Sequence, residues 1–504
     1  MLAISYSGTT IGVDAFLIKV EVDAVNGIPY FSIVGLPDAS VRESKERIIS
    51  AVRNSKYNLK SQRITVNLAP ADLKKEGALF DLPMTIGIMA SAGEIEQNML
   101  ANYLIAGELS LSGEVRQVKG ALPLAILAKN QGFKGIILPA KNKKEISILT
   151  GIEVVGVNNL AEAVNFLNGQ EVLDLTEEIK EPDIKTRVDD ADLKDIKGQV
   201  FAKRALEVAV SGGHNILMVG PPGSGKTMLA RRISTIMPEM SLDEAIETTK
   251  VHSVAGILPR NIALLRQRPF RSPHHTVSDV ALVGGGSVPK PGEVSKAHNG
   301  VLFLDELPEF GRNALEVLRQ PLEDGFVTIA RAKQTLDLPA QIMLVAAMNP
   351  CPCGYHSTLV KPCHCTPMQI SRYKGKISGP LLDRIDIHVQ VQQVAYEELI
   401  DKQESEPSAD VRARVVQTRA IQNKRFQSDK INNLMNSQEL KKYCALDAQS
   451  NKILKQAVDK FNLSARSYTR ILKVSRTIAD MEFSENIASH HILEAIQYRF
   501  MGDS

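Results

Sequence analysis

Tryptophan is absent from this 504-residue chain, and aromatic residues make up only 5% of it. So few rings count against a single-strand binder built on base stacking. Cysteine is scarce as well. There are five, and four of them crowd between Cys351 and Cys365, which is no disulfide framework of a secreted domain. No apolar run reaches the length that spans a bilayer. The opening MLAISYSGTT lacks the basic start and long apolar core of a secretory signal, so the cytoplasm is the expected location. An excess of charge is also missing: 60 Lys and Arg face 57 Asp and Glu, a formal net charge of +3. Any nucleic-acid contact must therefore come from local placement of cations rather than a bulk basic field.

What is present separates into three textures. Residues 1–169 alternate β-like runs such as AFLIKVEVDAV and RITVNLAP with helical runs such as ASVRESKERIISAVRNS, which predicts an α/β domain. Residues 170–188 are acidic and without apolar periodicity, as in a linker. Residues 189–393 carry the near-continuous apolar strands NILMVG, GVLFLDE and QIMLVAAMNP, suited to a parallel sheet covered on both faces. Residues 394–504 are helical throughout, as in VRARVVQTRAIQNKRF and SYTRILKVSRTIADME. No internal repeat is visible.

The strongest chemical signal is GPPGSGKT, formed by Gly220, Pro221, Pro222, Gly223, Ser224, Gly225, Lys226 and Thr227. An apolar strand precedes it and a helical run follows. Glycines there let backbone N–H groups curl around phosphate oxygens at a helix N-terminus. Lys226 is expected to reach the β- and γ-phosphates of ATP, and Thr227 to hold Mg²⁺. GVLFLDE ends in Asp305, suited to the magnesium shell, and Glu306, suited to orient or deprotonate water. Asn349 ends the next apolar strand, where an amide can position that water. A turn or helix cap is its plainer role.

P-loop, DE strand end and Asn strand end together resemble the AAA+ ATPases. The wider wording RSPHHTVSDVALVGGG, PKPGEVSKAHNGVLFLDELPEF, NPCPCGY and SGPLLDRIDIHV resembles the magnesium-chelatase-like YifB family over essentially the whole chain. That resemblance implies an AAA+ αβα core with a parallel sheet, a C-terminal helical lid, and an N-terminal domain like the Lon protease and ribosomal S5 fold. It matches Arg384 in LLDRID to the arginine finger, with a salt bridge to Asp383 or Asp386 as the bland alternative. It matches Arg466 in SARSYTRILK to the lid sensor, with Arg470 as competitor. A finger that acts on a neighbour implies a ring, and six subunits is the usual closure.

The family also implies where DNA would touch. Lys290 and Lys296 lie in a Gly/Pro-rich insert that resembles the helix-2 insert. Arg331 and Lys333 lie at the tip between VTIAR and TLDLPA, where the family places a pre-sensor hairpin. Basic tips in a pore would make salt-sensitive backbone contacts. In the Lon-like region Met84 stands at the position of the protease serine and Leu122 at that of the lysine, so peptidase chemistry is not expected. The implied function is an ATP-driven hexameric DNA motor, a helicase or branch-migration enzyme of homologous recombination in natural transformation, with recombination proteins as partners and no membrane. The alternative is a chelatase-type motor subunit that drives metal insertion with a partner protein.

The cysteines follow a C-x-C, nine residues, C-x-C pattern at Cys351, Cys353, Cys363 and Cys365. In a reducing compartment four thiolates suit a closed structural Zn²⁺ site, although the spacing is tighter than usual. His356 and His364 are close enough in sequence to replace a thiolate. Cys444 stands apart and reads as a small apolar filler.

Overall fold

The computed structural model describes residues 2–57, 62–170, 191–259, 262–286, 289–331, 334–356, 361–394, 398 and 405–499. Residues 171–188 of the expected linker lie outside them. The chain forms two compact units. The first comprises Met1–Ile184 with Ala245–Leu265 and Ser287–Pro291; the second comprises Lys185–Glu244, Arg266–Gly286 and Gly292–Ser504.

In the first unit the principal elements are β1 (Leu2–Ile11), β2 (Asp14–Asn26), β3 (Tyr30–Val34), α1 (Ala39–Asn54), β4 (Gln62–Ala69), α2 (Asp81–Ser91) and β5 (Tyr103–Ile105). They continue with α3 (Ala121–Asn130), β6 (Gly135–Pro139), β7 (Glu153–Val157) and α4 (Leu160–Leu167). The strands form one seven-stranded sheet in the order β3-β4-β2-β1-β5-β6-β7. Only the β1–β2 and β2–β4 pairs are antiparallel. Alternation in β2 sends Ile18, Val20 and Val22 into the core with no exposure. Helix α2, by contrast, is mostly apolar, and every one of its residues is buried, with Asp81 at its start paired to Arg47. Met84 on α2 and Leu122 on α3 are both core side chains with no exposure. The two positions that the resemblance matches to a protease dyad are thus occupied by core side chains.

Segment Ala245–Leu265 joins this unit through polar contacts that the sequence does not announce. The Gly120 N–H donates to the Ser253 carbonyl at 3.3 Å. The buried carboxylate of Glu145 accepts from the Leu122 N–H at 3.3 Å and from the Ser253 hydroxyl.

The second unit opens with α5 (Val200–Gly212), β8 (Ile216–Val219), α6 (Lys226–Ile236), β9 (Phe270–Arg271) and β10 (Val301–Leu304). The hairpin strands β11 (Phe326–Arg331) and β12 (Gln334–Pro339) follow, then β13 (Met343–Met348) and β14 (Ile387–Gln390). Four longer helices end it: α7 (Ser408–Phe426), α8 (Ala448–Phe461), α9 (Ala465–Met481) and α10 (Ser489–Gln497). The sheet order is β9-β10-β13-β8-β14, and all its pairs are parallel. VLFL and MLVAAM are buried along their full length, as a sheet covered on both faces requires. Val411, Val415, Ile471 and Ile492 from the C-terminal helices share one apolar cluster with Ile216 and Val345 from the sheet. The expected lid and core therefore lie in a single unit. Among the described residues no helix is long and apolar enough to cross a membrane.

Candidate functional site

Strand order places the chemistry. β8 lies between β13 and β14, and β10 lies on the far side of β13. The C-terminal ends of three neighbouring parallel strands therefore carry the glycine loop, Asn349 and Asp305. Such strand ends are where open α/β sheets bind ligands.

Gly220 leaves β8 with its N–H bonded to the Met348 carbonyl at 3.2 Å. A Cβ at Gly220 would stand 2.1 Å from the Val391 carbonyl oxygen, so no other residue fits. Gly225 has φ +91 and caps α6 without any side-chain hydrogen bond, leaving the helix's first N–H groups for an anion. The hydroxyl of Ser224 is buried and has no partner among the described residues. Lys226 is 8% exposed, and its ammonium donates to the Gly220 carbonyl at 2.8 Å, the Pro221 carbonyl at 2.9 Å and Asn349 Oδ1 at 3.2 Å. Burial lowers its pKa from the ordinary lysine value, against the pull of Asp305 and Glu306. An orphaned hydroxyl, uncapped helix N–H groups and a lysine held over the loop fit a nucleotide's phosphates.

Thr227 Oγ1 donates to Asp305 Oδ2 at 2.7 Å, and Asp305 Oδ1 accepts from the Glu306 N–H at 3.0 Å. These are the two oxygen-bearing side chains that would hold Mg²⁺. Glu306 adopts φ +52, a left-handed conformation that costs a non-glycine residue about 1 kcal/mol. Its carboxylate is well exposed and lies 3.7 Å from His275 Nδ1. An exposed carboxylate held on a strained turn is suited to take a proton from water.

Arg384 and Arg466 are drawn together, away from this loop. Arg384 is 5% exposed, donates to the Pro380 carbonyl at 2.8 Å, and forms an ion pair with Glu323. Arg466 Nη2 lies 3.3 Å from the other oxygen of the same carboxylate. Neither arginine bonds to residues 220–227 among the described contacts. The expected salt-bridge alternatives for Arg384 were Asp383 and Asp386, yet the partner is Glu323. Arg470 instead pairs with the buried Asp386.

The four cysteines come together. Cys351 Sγ lies 3.3 Å from Cys353 Sγ and 3.7 Å from Cys363 Sγ, and the latter two are 3.6 Å apart. All four sulfurs lie within 4.8 Å of one another. A tetrahedral Zn²⁺ with bonds of about 2.3 Å sets sulfurs roughly 3.8 Å apart, so the cluster fits that ion without a histidine. Backbone N–H groups of Tyr355 and His364 hold the Cys353 thiol down to about 6. The loop also touches the P-loop: a Cβ on Gly354, at φ +87, would meet Pro222 Cδ at 2.5 Å.

The basic candidates differ in availability. Lys290 is exposed. Lys296 is half-buried and donates to Glu293 at 3.1 Å, which leaves it less free for a phosphate. Arg331 ends β11 of an antiparallel hairpin in which Phe326 pairs with Pro339. The side chain of Arg331 and all of Lys333 lie outside the described residues. Sequence reasoning missed Gln199, whose side chain reaches the Ser224 carbonyl at 3.3 Å and also the Gln392 carbonyl. Beside it opens a cavity of about 480 Å³ lined by Gly198, Val200, Lys203, Glu207 and Glu406. Its only sequence signal was a helix opening on Gly-Gln before the P-loop strand.

Residues 192–399 match the family model described as magnesium chelatase, subunit ChlI. Residues 20–142 and 405–499 match models for the same subunit and for its C-terminal part. The chain is 46% identical over 503 residues to Competence protein ComM of Haemophilus influenzae, covering 99% of this chain and 98% of that one. The chain belongs to the ComM/YifB family of magnesium-chelatase-like AAA+ ATPases. It is also 41% identical over 500 residues to the Escherichia coli protein YifB, covering 99% of this chain and 97% of that one. Over 216 residues, 41% of the chain and 34% of the relative, it is 27% identical to Lon protease 2 of Bacillus subtilis. Membership of a ComM/YifB ATPase family implies ATP, for which the strand-end cluster is the candidate site; Arg384 and Arg466 make no described bond to residues 220–227.

Proposed function

We propose that this protein is a ring-forming, ATP-driven DNA motor that serves recombination in bacterial competence. The observation that carries the reading is the separation of its catalytic parts. Lys226, Thr227, Asp305, Glu306 and Asn349 sit at neighbouring strand ends, while Arg384 and Arg466 meet at Glu323 and make no bond to that loop. Arginines placed so serve a neighbouring copy's nucleotide, and copies arranged head to tail close into a ring, here taken as six. The hairpin β11–β12 follows Glu323 directly, and its basic tip at Arg331 and Lys333, with Lys290, supplies sequence-independent phosphate contacts. The 46%-identical relative's name, Competence protein, supports the biological setting.

Hydrolysis follows from these residues. Lys226 and the loop N–H groups hold the phosphates, Glu306 draws a proton from a water that Asn349 positions, and the neighbour's Arg384 stabilises charge on the transferring phosphoryl group. Thr227 and Asp305 would hold Mg²⁺, which would neutralise phosphate charge. The four cysteines would hold Zn²⁺, which would brace the loop that leaves Asn349 and contacts Pro222.

A chelatase-type motor is the second reading, favoured by the family models themselves. One assay separates the two: purified protein, labelled four-way junctions and forks, ATP, and Lys226→Ala as control. The DNA motor resolves junctions in an ATP-dependent manner that Lys226→Ala abolishes. Wild type that hydrolyses ATP but leaves every DNA substrate intact sinks it.

A further inference from the structure

Glu323 has no part in the motifs that mark the ATP site, yet among the described residues it is the carboxylate on which both candidate phosphate-sensing arginines converge. Arg384 pairs with its Oε2 and Arg466 Nη2 lies 3.3 Å from its Oε1, although the two arginines come from the turn that precedes β14 and from a C-terminal helix. Two guanidiniums brought this close repel unless an anion stands between them. The burial is uneven: the Arg384 side chain is 6% exposed, against 48% for Glu323 and 55% for Arg466. Arg384 Nε is buried and has no acceptor among the described residues. A buried guanidinium donor without a partner costs free energy, so its position calls for a reason beyond packing.

Glu323 is also fixed to the hairpin. It lies in the short helical turn Pro321–Asp324, which Gly325 ends at φ +77, and β11 begins at the next residue. Gln320, just before that turn, accepts from the Thr328 N–H at 3.2 Å and donates to Thr328 Oγ1 at 2.9 Å. The first strand of the hairpin is therefore clamped to the same turn that carries the carboxylate.

We propose that Glu323 is a positioning residue for ATP hydrolysis: it gathers Arg384 and Arg466 into one cationic pair aimed at a neighbouring subunit's nucleotide, and ties that pair to the root of the hairpin. It rests on the reading of Arg384 as an arginine acting in trans. With one carboxylate for two guanidiniums the cluster keeps a net charge of +1, so it still attracts phosphate. A shift of the hairpin moves the carboxylate and with it both arginines.

Mixed rings test this. Lys226→Ala subunits supply arginines but cannot hydrolyse; Arg384→Ala subunits keep an intact ATP site but supply no finger. Their mixture regains ATPase activity that neither has alone. When the first partner also carries Glu323→Gln, the regained kcat falls about ten-fold with KM for ATP and ring mass unchanged, and Glu323→Asp recovers part of it. If the parent mixture stays silent, the trans reading fails and takes this proposal with it. If the parent mixture is active and Glu323→Gln changes nothing, the proposal alone fails and the contact is a surface ion pair of little consequence. A Glu323→Gln ring of lower mass overturns it as well, because the residue then serves assembly.

Discussion

The Asp386 side chain has no exposure, and two groups answer its charge. Arg470 donates to it and the Asn215 N–H donates at 2.9 Å, while burial pushes the pKa of nearby His214 down to about 4. Arg470 donates in addition to the Arg384 carbonyl at 3.0 Å. Removing one partner of a buried ion pair strands the other, which costs about 3–5 kcal/mol. Arg466, four residues earlier on α9, is 55% exposed and touches only Glu323 among its described ion pairs. Its loss should change stability by no more than about 0.5 kcal/mol. Arg470→Ala is therefore expected to lower the unfolding free energy in urea by about 3 kcal/mol. Arg466→Ala should instead leave the urea midpoint in place and cut the ATPase rate. Equal midpoints for the two variants would refute this division, in which Arg470 is structural and Arg466 the lid sensor.

At the scale of elements, the loop between β13 and β14 joins two chemistries. It starts at Asn349, carries the four sulfurs, and packs Gly354 on Pro222 of the P-loop. Gly354→Ala adds a methyl 2.5 Å from Pro222 Cδ, at a φ of +87 that alanine rarely adopts. It should raise the Kd for a fluorescent ATP analogue about ten-fold, roughly 1.4 kcal/mol, with bound zinc unchanged. Unaltered nucleotide affinity would show that the loop leans on the P-loop without consequence. The glycine loop, the acidic strand end and the Asn strand end were legible because each is a local run whose residue types answer one need. The VTIAR and TLDLPA pairing was legible for the same reason, through strand alternation. Gly354 against Pro222, Gln199 against Ser224 and Glu323 against Arg384 and Arg466 were not. Each joins residues far apart in the chain, and neither periodicity nor spacing encodes such a meeting. Lys296 is expected to meet a DNA phosphate; the fold adds that it donates to Glu293 one helical turn away, a pairing that only the folded turn makes plain.

For the whole molecule, chain order and spatial grouping part company. Ala245–Leu265 follows the P-loop helix in sequence, yet it belongs to the first unit, held there by buried Glu145 and the Gly120 N–H. Apolar textures gave the α/β character of both regions but could not reveal that exchange, because it rests on a few polar contacts. One consequence reaches the activity of the assembled protein. The candidate ATP-binding groups Lys226, Thr227, Asp305 and Asn349 sit at the strand ends of one sheet, whereas Arg384 and Arg466, the arginines proposed to stabilise charge in the transition state, are gathered at Glu323. A trans-acting arginine is worth about 10³–10⁵ in kcat, so an isolated subunit should bind ATP normally and hydrolyse it almost not at all. Specific ATPase activity is therefore expected to collapse on dilution, at the concentration where light scattering shows the ring dissociate. Nucleotide binding per subunit should stay constant through the same range. Arg384→Ala, already without its finger, should show the residual rate at every concentration. A species of monomer mass that hydrolyses ATP at the undiluted rate would place a finger within its own subunit and remove the reason for a ring.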